Sequence, residues 1–262
     1  MNRLRKYILR FVGLSYLFVL LAMPVGLIFR RAFQDGFGPA WDAVTTPAAR
    51  HALVVTLIIA AIAVPANTIF GIICAIAIVR QRFPGKNIVN ALVDLPLALS
   101  PVVVGLAFLL LFGRGGWLAG LPFEVVFALP GMVLATMFVS LPFVVREVVP
   151  VLRELGTEQE QAAATLGAGG WQIFRRVTFP AIRWAVAYGV VLTTARALGE
   201  FGAVSVVSGR IIGKTESLTL HVEERYQSFD YVGAYAASVL LAMLAIATLV
   251  AMTVFKPREE TR

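Results

Sequence analysis

Six long apolar stretches limit what this chain can become. They run from Phe11 to Phe29, Ala52 to Val79, Ile88 to Phe112, Val125 to Val145, Trp184 to Val207 and Tyr231 to Phe255. A helix crosses the ~30 Å hydrocarbon core of a bilayer with about 20 predominantly apolar residues, and each stretch reaches that length. Lipid offers no partner to a free backbone N–H or C=O, so a spanning segment must be a helix or part of a closed barrel. Barrel strands are shorter and alternate in polarity, which these stretches do not. The expected fold class is therefore an all-α polytopic membrane protein with six transmembrane helices. At 59% hydrophobic and 15% charged residues, with a mean hydropathy of +0.83, the composition lies outside the range of soluble domains.

The first stretch follows Arg3, Arg5, Lys6 and Arg10, as the core of a signal peptide would. It runs on through Met23-Pro24 to Arg30, beyond the ~7–15 apolar residues of a cleavable signal, and reads as a retained span. Basic residues orient the bundle, because Lys and Arg are retained on the cytoplasmic side. With the N-terminus inside, the inner set is Arg3, Arg5, Lys6, Arg10, Arg80, Arg82, Lys86, Arg146, Arg153, Arg175, Arg176, Arg183, Lys256, Arg258 and Arg262. The outer set is smaller: Arg30, Arg31, Arg50, Arg114, Arg210, Lys214 and Arg225. Both termini are expected in the cytoplasm. The net charge of +8 is then a topology signal and an attraction to anionic lipid, not a nucleic-acid footprint. The single cysteine, Cys74, can form no internal disulfide.

No internal repeat, low-complexity tract or soluble domain interrupts the pattern, so residues 1–262 are read as one membrane domain. Two connections are long. The outer one, Ser208 to Asp230, is polar and mixed in charge, and suits a re-entrant or partner-facing segment. In the inner one, residues 146–183, the helix-forming run Glu158 to Ala164 meets Gly167-Ala168-Gly169-Gly170, and Trp171, Phe174, Val177 and Phe179 follow. Each Gly costs ~1 kcal/mol in a helix interior, so the segment reads as helix, glycine turn, helix, with Pro180 ending this small foot before the chain re-enters the bilayer. Prolines at 24, 65, 96, 101, 130 and 142 lie within spans, where they bend helices and neighbours repair the lost hydrogen bond.

Enzyme and metal constellations are missing from the sequence pattern. His51 and His221 sit in different outer regions without carboxylate partners in sequence, and there is no phosphate-binding G-x-x-x-x-G-K-[ST] loop. The chain is not expected to hydrolyse ATP or to bind a cofactor or metal itself. The foot, however, carries a family signature. Gln161-Ala162-Ala163-Ala164-Thr165-Leu166-Gly167, followed at fixed spacing by Val177-Thr178-Phe179-Pro180, resembles the EAA loop of binding-protein-dependent ABC import permeases. Gln161 stands where that loop usually has Glu, and Phe179 where it has Leu, with Glu160 adjacent to the first. The resemblance implies a cytoplasmic coupling loop docking in a cleft of an ABC ATPase dimer that uses ATP-Mg. Ala162, Ala163 and Gly167 would allow close backbone approach, Leu166 would be an apolar knob, and Glu160 or Gln161 would supply a rim hydrogen bond.

The second informative stretch is Arg196-Ala197-Leu198-Gly199-Glu200-Phe201-Gly202-Ala203-Val204-Ser205-Val206-Val207-Ser208-Gly209. Two charges within an apolar span point by default to a functional site. Being four apart, Arg196 and Glu200 share a helical face. Either they neutralise each other, or Arg196 faces a water-filled path and attracts an oxyanion while Glu200 orients it. This stretch resembles the sulfate and molybdate permeases, and its continuation is similar to the sulfate/thiosulfate ABC importer permeases of the CysW type. Further matches are Asp94-Leu95-Pro96, Ser100-Pro101-Val102-Val103-Val104-Gly105-Leu106 and Pro142-Phe143-Val144-Val145-Arg146-Glu147. By resemblance, Arg196, Glu200, Ser205, Ser208 and Ser100 are candidate residues of the substrate pathway. Gly189, Gly199 and Gly202 suit close helix contacts.

The expectation is thus a six-span permease subunit of an ATP-driven sulfate/thiosulfate importer in the inner membrane. Its implied partners are a homologous second permease subunit, the ATPase dimer and an extracytoplasmic anion-binding protein. A molybdate or tungstate permease is the alternative within the family. A gradient-driven secondary transporter would instead show inverted repeats and ionisable residues in several spans.

Overall fold

The computed structural model describes residues 3–120 and 122–255; Lys256, Arg258 and Arg262, three of the inner charges above, lie outside the described residues. All regular elements among the described residues are helices. We number them α1 (Tyr7–Ala32), α2 (Phe37–Thr45), α3 (Pro47–Arg80), α4 (Lys86–Ala98) and α5 (Pro101–Phe112). There follow α6 (Leu129–Leu155), α7 (Glu158–Thr165), α8 (Gly170–Leu198), α9 (Gly202–Val207), α10 (Leu218–Gln227) and α11 (Tyr231–Phe255). Helices α1, α3, α6, α8 and α11 are each long and apolar enough to cross a bilayer.

The third expected span is not a rod. Helices α4 and α5 meet at 110°, correcting the straight helix expected over Ile88 to Phe112. Leu99 and Ser100 at the corner are both extended, with ψ of 139° and 135°. Pro101 causes this, because its ring disfavours the helical region for the residue before it. The fifth expected span is also corrected. Helix α8 stops at Leu198, the chain opens over Gly199–Phe201, and α9 restarts at Gly202. At its other end α8 reaches back to Gly170, so Pro180 does not end the foot. A π-turn over Phe174–Thr178, in which Phe179 N–H donates to Phe174 O, absorbs the proline within a continuous helix.

Helix α6 lies at the centre, with α3 and α8 packed along it. Val144 of α6 is fully buried between two glycines. A Cβ on Gly71 of α3 would fall 2.7 Å from Val144 Cβ, and one on Gly189 of α8 would fall 2.8 Å from Val144 Cα. Only glycine lets three backbones come this close. Pro142 interrupts the hydrogen-bond ladder of α6 beside this crossing. The Leu141 N–H turns to Phe138 O at 3.3 Å, leaving Met137 O to accept from Asn67 Nδ2 of α3 at 2.9 Å. Asn67 also donates to Ser140 Oγ at 2.9 Å and is buried. This polar residue in an apolar span repairs a proline break.

Among the described residues, two large buried clusters and a small one at Ala60, Ala197 and Leu198 fill the bundle. Cys74, Ile78, Val93, Val148, Leu152 and Ile182 pack on the foot side; Val55, Ile59, Val104, Met132, Val204 and Leu220 pack on the far side. Helix α1 stands apart, with every large apolar side chain from Tyr7 to Met23 exposed and only its last half against α11.

Candidate functional site

On the foot side, α7 is bracketed by Gly156 at φ +63° and Gly167 at φ +87°. At its C-terminus Gly167 N–H donates to Ala164 O at 2.9 Å and Ala168 N–H to Ala163 O at 3.1 Å, the paired bonds of a Schellman cap. Gly167 therefore stops the helix because it alone adopts the left-handed cap without strain. Nothing lies within 4 Å of where its Cβ would be. Leu166 is 90% exposed, Trp171 is 70% exposed, and Ala162 is exposed beside Leu166. An apolar knob flanked by small residues thus projects from the bundle.

Glu160 is placed otherwise than the sequence suggested. Its Oε2 pairs with Arg80 Nε of α3 at 2.9 Å, and its Oε1 accepts from Thr178 Oγ1 of α8 at 2.9 Å. Arg80 also donates through Nη1 to Leu152 O of α6 at 3.0 Å. Glu160 thus faces its own bundle, not a partner's rim, and fastens the foot to the ends of three spans. Gln161 donates to Thr157 Oγ1 at 2.9 Å, within the foot, and Ala163 is half-buried. Sequence reasoning missed the latch because its members lie far apart along the chain. Arg146, the first residue of the expected inner connection, lies inside α6, where its guanidinium grips both carboxylate oxygens of Asp94 of α4. The segment between the spans is only Gly156–Gly169.

The two helix breaks lie against each other. A Cβ on Gly202 would be 2.9 Å from Pro101 Cβ, and one on Gly105 of α5 would be 2.8 Å from Ala203 O. Helix α5 thus rests on α9, and the Leu99–Ser100 corner faces the Gly199–Phe201 opening. Arg196 Nη1 pairs with Glu200 Oε2 at 2.6 Å, with side chains 29% and 1% exposed. Glu200 Oε1 also accepts from Ala203 N–H at 2.8 Å, capping α9. The charges are therefore paired, and the guanidinium alone remains partly exposed. Ser100 is exposed at the corner. Ser205 Oγ donates to Gly202 O at 2.9 Å. Ser208 is buried, and its hydroxyl accepts from Arg210 N–H at 3.1 Å. Ser100 stands at one break and Arg196 and Glu200 at the other; Ser205 and Ser208 are engaged in local turns. Gly202 makes a close contact as expected, and so does Gly189; Gly199 meets only its own helix at Ala195 O.

The outer connection folds onto the bundle. Thr219 Oγ1 of α10 donates to Glu200 O at 2.8 Å, and Leu218 N–H donates to Thr56 Oγ1 of α3 at 2.8 Å. His221, expected to lack a carboxylate partner, has one: its Nδ1 lies 3.1 Å from Glu216 Oε1, and both side chains are buried.

Residues 67–260 match the family described as binding-protein-dependent transport system inner membrane component. The chain is 48% identical over 257 residues to the sulfate transport system permease protein CysW of Synechocystis sp., covering 97% of this chain and 93% of that one. It is 43% identical over 238 residues to the sulfate transport system permease protein CysT of Escherichia coli, covering 88% and 86%. Among solved structures, a chain of a bacterial alginate ABC transporter, in complex with its alginate pentasaccharide-bound periplasmic protein, superposes with a TM-score of 0.79 at 17% identity. That match covers 97% of this chain and 94% of the other.

Proposed function

The chain belongs to the family of binding-protein-dependent transport system inner membrane components, and from that premise we propose that it is the CysW-like permease subunit of an ATP-driven sulfate importer. It is a multi-pass membrane protein and a transport component, not an enzyme. A second, CysT-like permease completes the path, a pair of cytoplasmic ATPase subunits binding ATP-Mg drives it, and an extracytoplasmic binding protein delivers the anion. The foot and both termini face the cytoplasm, in accord with the basic residues gathered there.

The observation that carries this reading is the bare, latched foot. A short helix exposes Leu166 to a partner and is tied through Glu160 to α3 and α8. When the ATPase dimer closes, it pulls on Leu166, Ala162, Ala163 and Gly167. The latch passes the displacement to α3 and, through Thr178, to α8, whose other end is the Arg196–Glu200 break. A ligand shifts a two-state bundle only by binding one arrangement better, and ATP does so through the foot.

At the breaks, Arg196 attracts the anion while Glu200 offsets most of its charge. The path then binds a dianion weakly enough to release it. Thiosulfate shares the charge and tetrahedral shape of sulfate and travels with it. Selection against molybdate rests on the binding protein. The test is uptake of radiolabelled sulfate by liposomes holding the complete transporter, with binding protein outside and ATP inside. Uptake should be competed by thiosulfate in excess. Uptake of labelled molybdate with none of labelled sulfate would overturn the assignment of substrate.

A further inference from the structure

On the far side of the bundle, Glu216, His221 and Glu224 bring one ligand atom each to within 4.8 Å of one another. Glu216 Oε1 meets His221 Nδ1, while Glu216 Oε2 is buried and accepts no hydrogen bond. Glu224 Oε2 is also buried without a hydrogen bond but pairs with Arg225 Nε at 3.4 Å, and Glu224 Oε1 accepts from Ser228 Oγ at 3.1 Å. Beside them opens a cavity of about 150 Å³ lined by Arg210, Glu216, Leu220, Glu223, Glu224 and Gln227. Of these, Arg210 is paired through Nη1 with Glu223 Oε2 at 3.1 Å. Buried carboxylate oxygens are costly without a cation or a donor. Glu216 Oε2 is such an oxygen.

We propose that Glu216, His221 and Glu224 form a binding site for a divalent first-row transition ion, with zinc the best fit to one imidazole and two carboxylates. That donor set suits zinc, whereas calcium and magnesium favour oxygen alone. Ligand atoms on one zinc ion lie about 3.4 Å apart, given bonds of ~2.0–2.2 Å. The Glu216–His221 separation already matches this, and Glu224, half-buried at the cavity edge, closes the remainder by a side-chain rotation. The second oxygen of Glu216 or a water from the cavity completes the coordination. An ion here joins the turn before α10 to α10 itself. That junction also carries the bonds from Thr219 to Glu200 and from Leu218 to Thr56. Zinc would therefore stiffen the outer support of the Arg196–Glu200 break.

The test uses the assembled transporter in detergent, equilibrated with micromolar zinc, passed through a desalting column and assayed for metal. Wild type should retain one zinc more per copy of this chain than the Glu224→Gln variant, whose affinity should fall at least ~10-fold. Zinc should raise the thermal midpoint of wild type above its value in EDTA, magnesium should not, and Glu224→Gln should lose the increment. His221→Gln should match Glu224→Gln in metal content; if it does not assemble, Glu224→Gln decides, since its position is half-buried. Equal zinc in wild type and Glu224→Gln, or no zinc-dependent shift in wild type, would overturn the site.

Discussion

Replacing Glu160 by Gln tests the latch with the least change of shape. Gln keeps an oxygen for Thr178 but turns an amide nitrogen, a donor, toward the Arg80 guanidinium. Exposed ion pairs contribute ~0–1 kcal/mol, and removing one partner of a fully buried pair costs ~3–5 kcal/mol. With side chains 15% and 21% exposed, this pair lies between, and the substitution should cost about 2 kcal/mol. Because 1.4 kcal/mol corresponds to tenfold, the ratio of docked to undocked foot falls about thirtyfold. The foot still has Leu166 for the ATPase but no longer holds α3. Reconstituted Glu160→Gln transporter should hydrolyse ATP at a rate close to wild type while sulfate uptake per ATP falls about tenfold or more. Exchanging the charges, Arg80→Glu with Glu160→Arg, should recover part of the coupling. Wild-type uptake per ATP in Glu160→Gln would refute the latch.

Two further substitutions separate local conformation from fold. Gly167→Val forces a β-branched residue to φ +87°, costing about 1–2 kcal/mol at the cap. Since no atom lies within 4 Å, membrane abundance should match wild type while sulfate uptake is lost, as read by immunoblot and transport assay on the same vesicles. Arg196→Met leaves the Glu200 carboxylate, 1% exposed, without its cation. The expected loss is about 3 kcal/mol, at the low end for a broken buried pair because Arg196 is partly exposed. The thermal midpoint in detergent should fall and recover in the double variant Arg196→Met with Glu200→Met, and neither variant should transport sulfate.

What was legible in the sequence were features governed by local chemistry. Hydropathy located the spanning segments, and the glycine run after Ala164 announced the cap at Gly167. Spacing around Gln161 and Pro180 pointed to the foot. Hydropathy carries no direction, however, so the continuous apolar run through Leu99 and Ser100 hid a 110° corner, although Pro101 was its local sign. Likewise the run from Trp184 to Val207 hid the break at Glu200, where a charge caps a new helix. Long-range partners were out of reach. Nothing near Glu160 indicates that Arg80 will meet it, and Asn67 reads as a polar residue within a span until Met137 O is seen to need a donor. Pro180 misled because a π-turn accommodated it.

The central claim is that the exposed end of α7 is where the ATPase subunit acts, and Leu166 allows a direct measurement. A Leu166→Cys variant, made with Cys74→Ser so that this chain holds one thiol, is paired with cysteines placed singly along the cleft of a cysteine-free ATPase subunit. Oxidation of the assembled transporter should give a disulfide-linked permease–ATPase species whose yield changes when ATP is bound. No such species at any cleft position, in a transporter that still imports sulfate, would contradict the account.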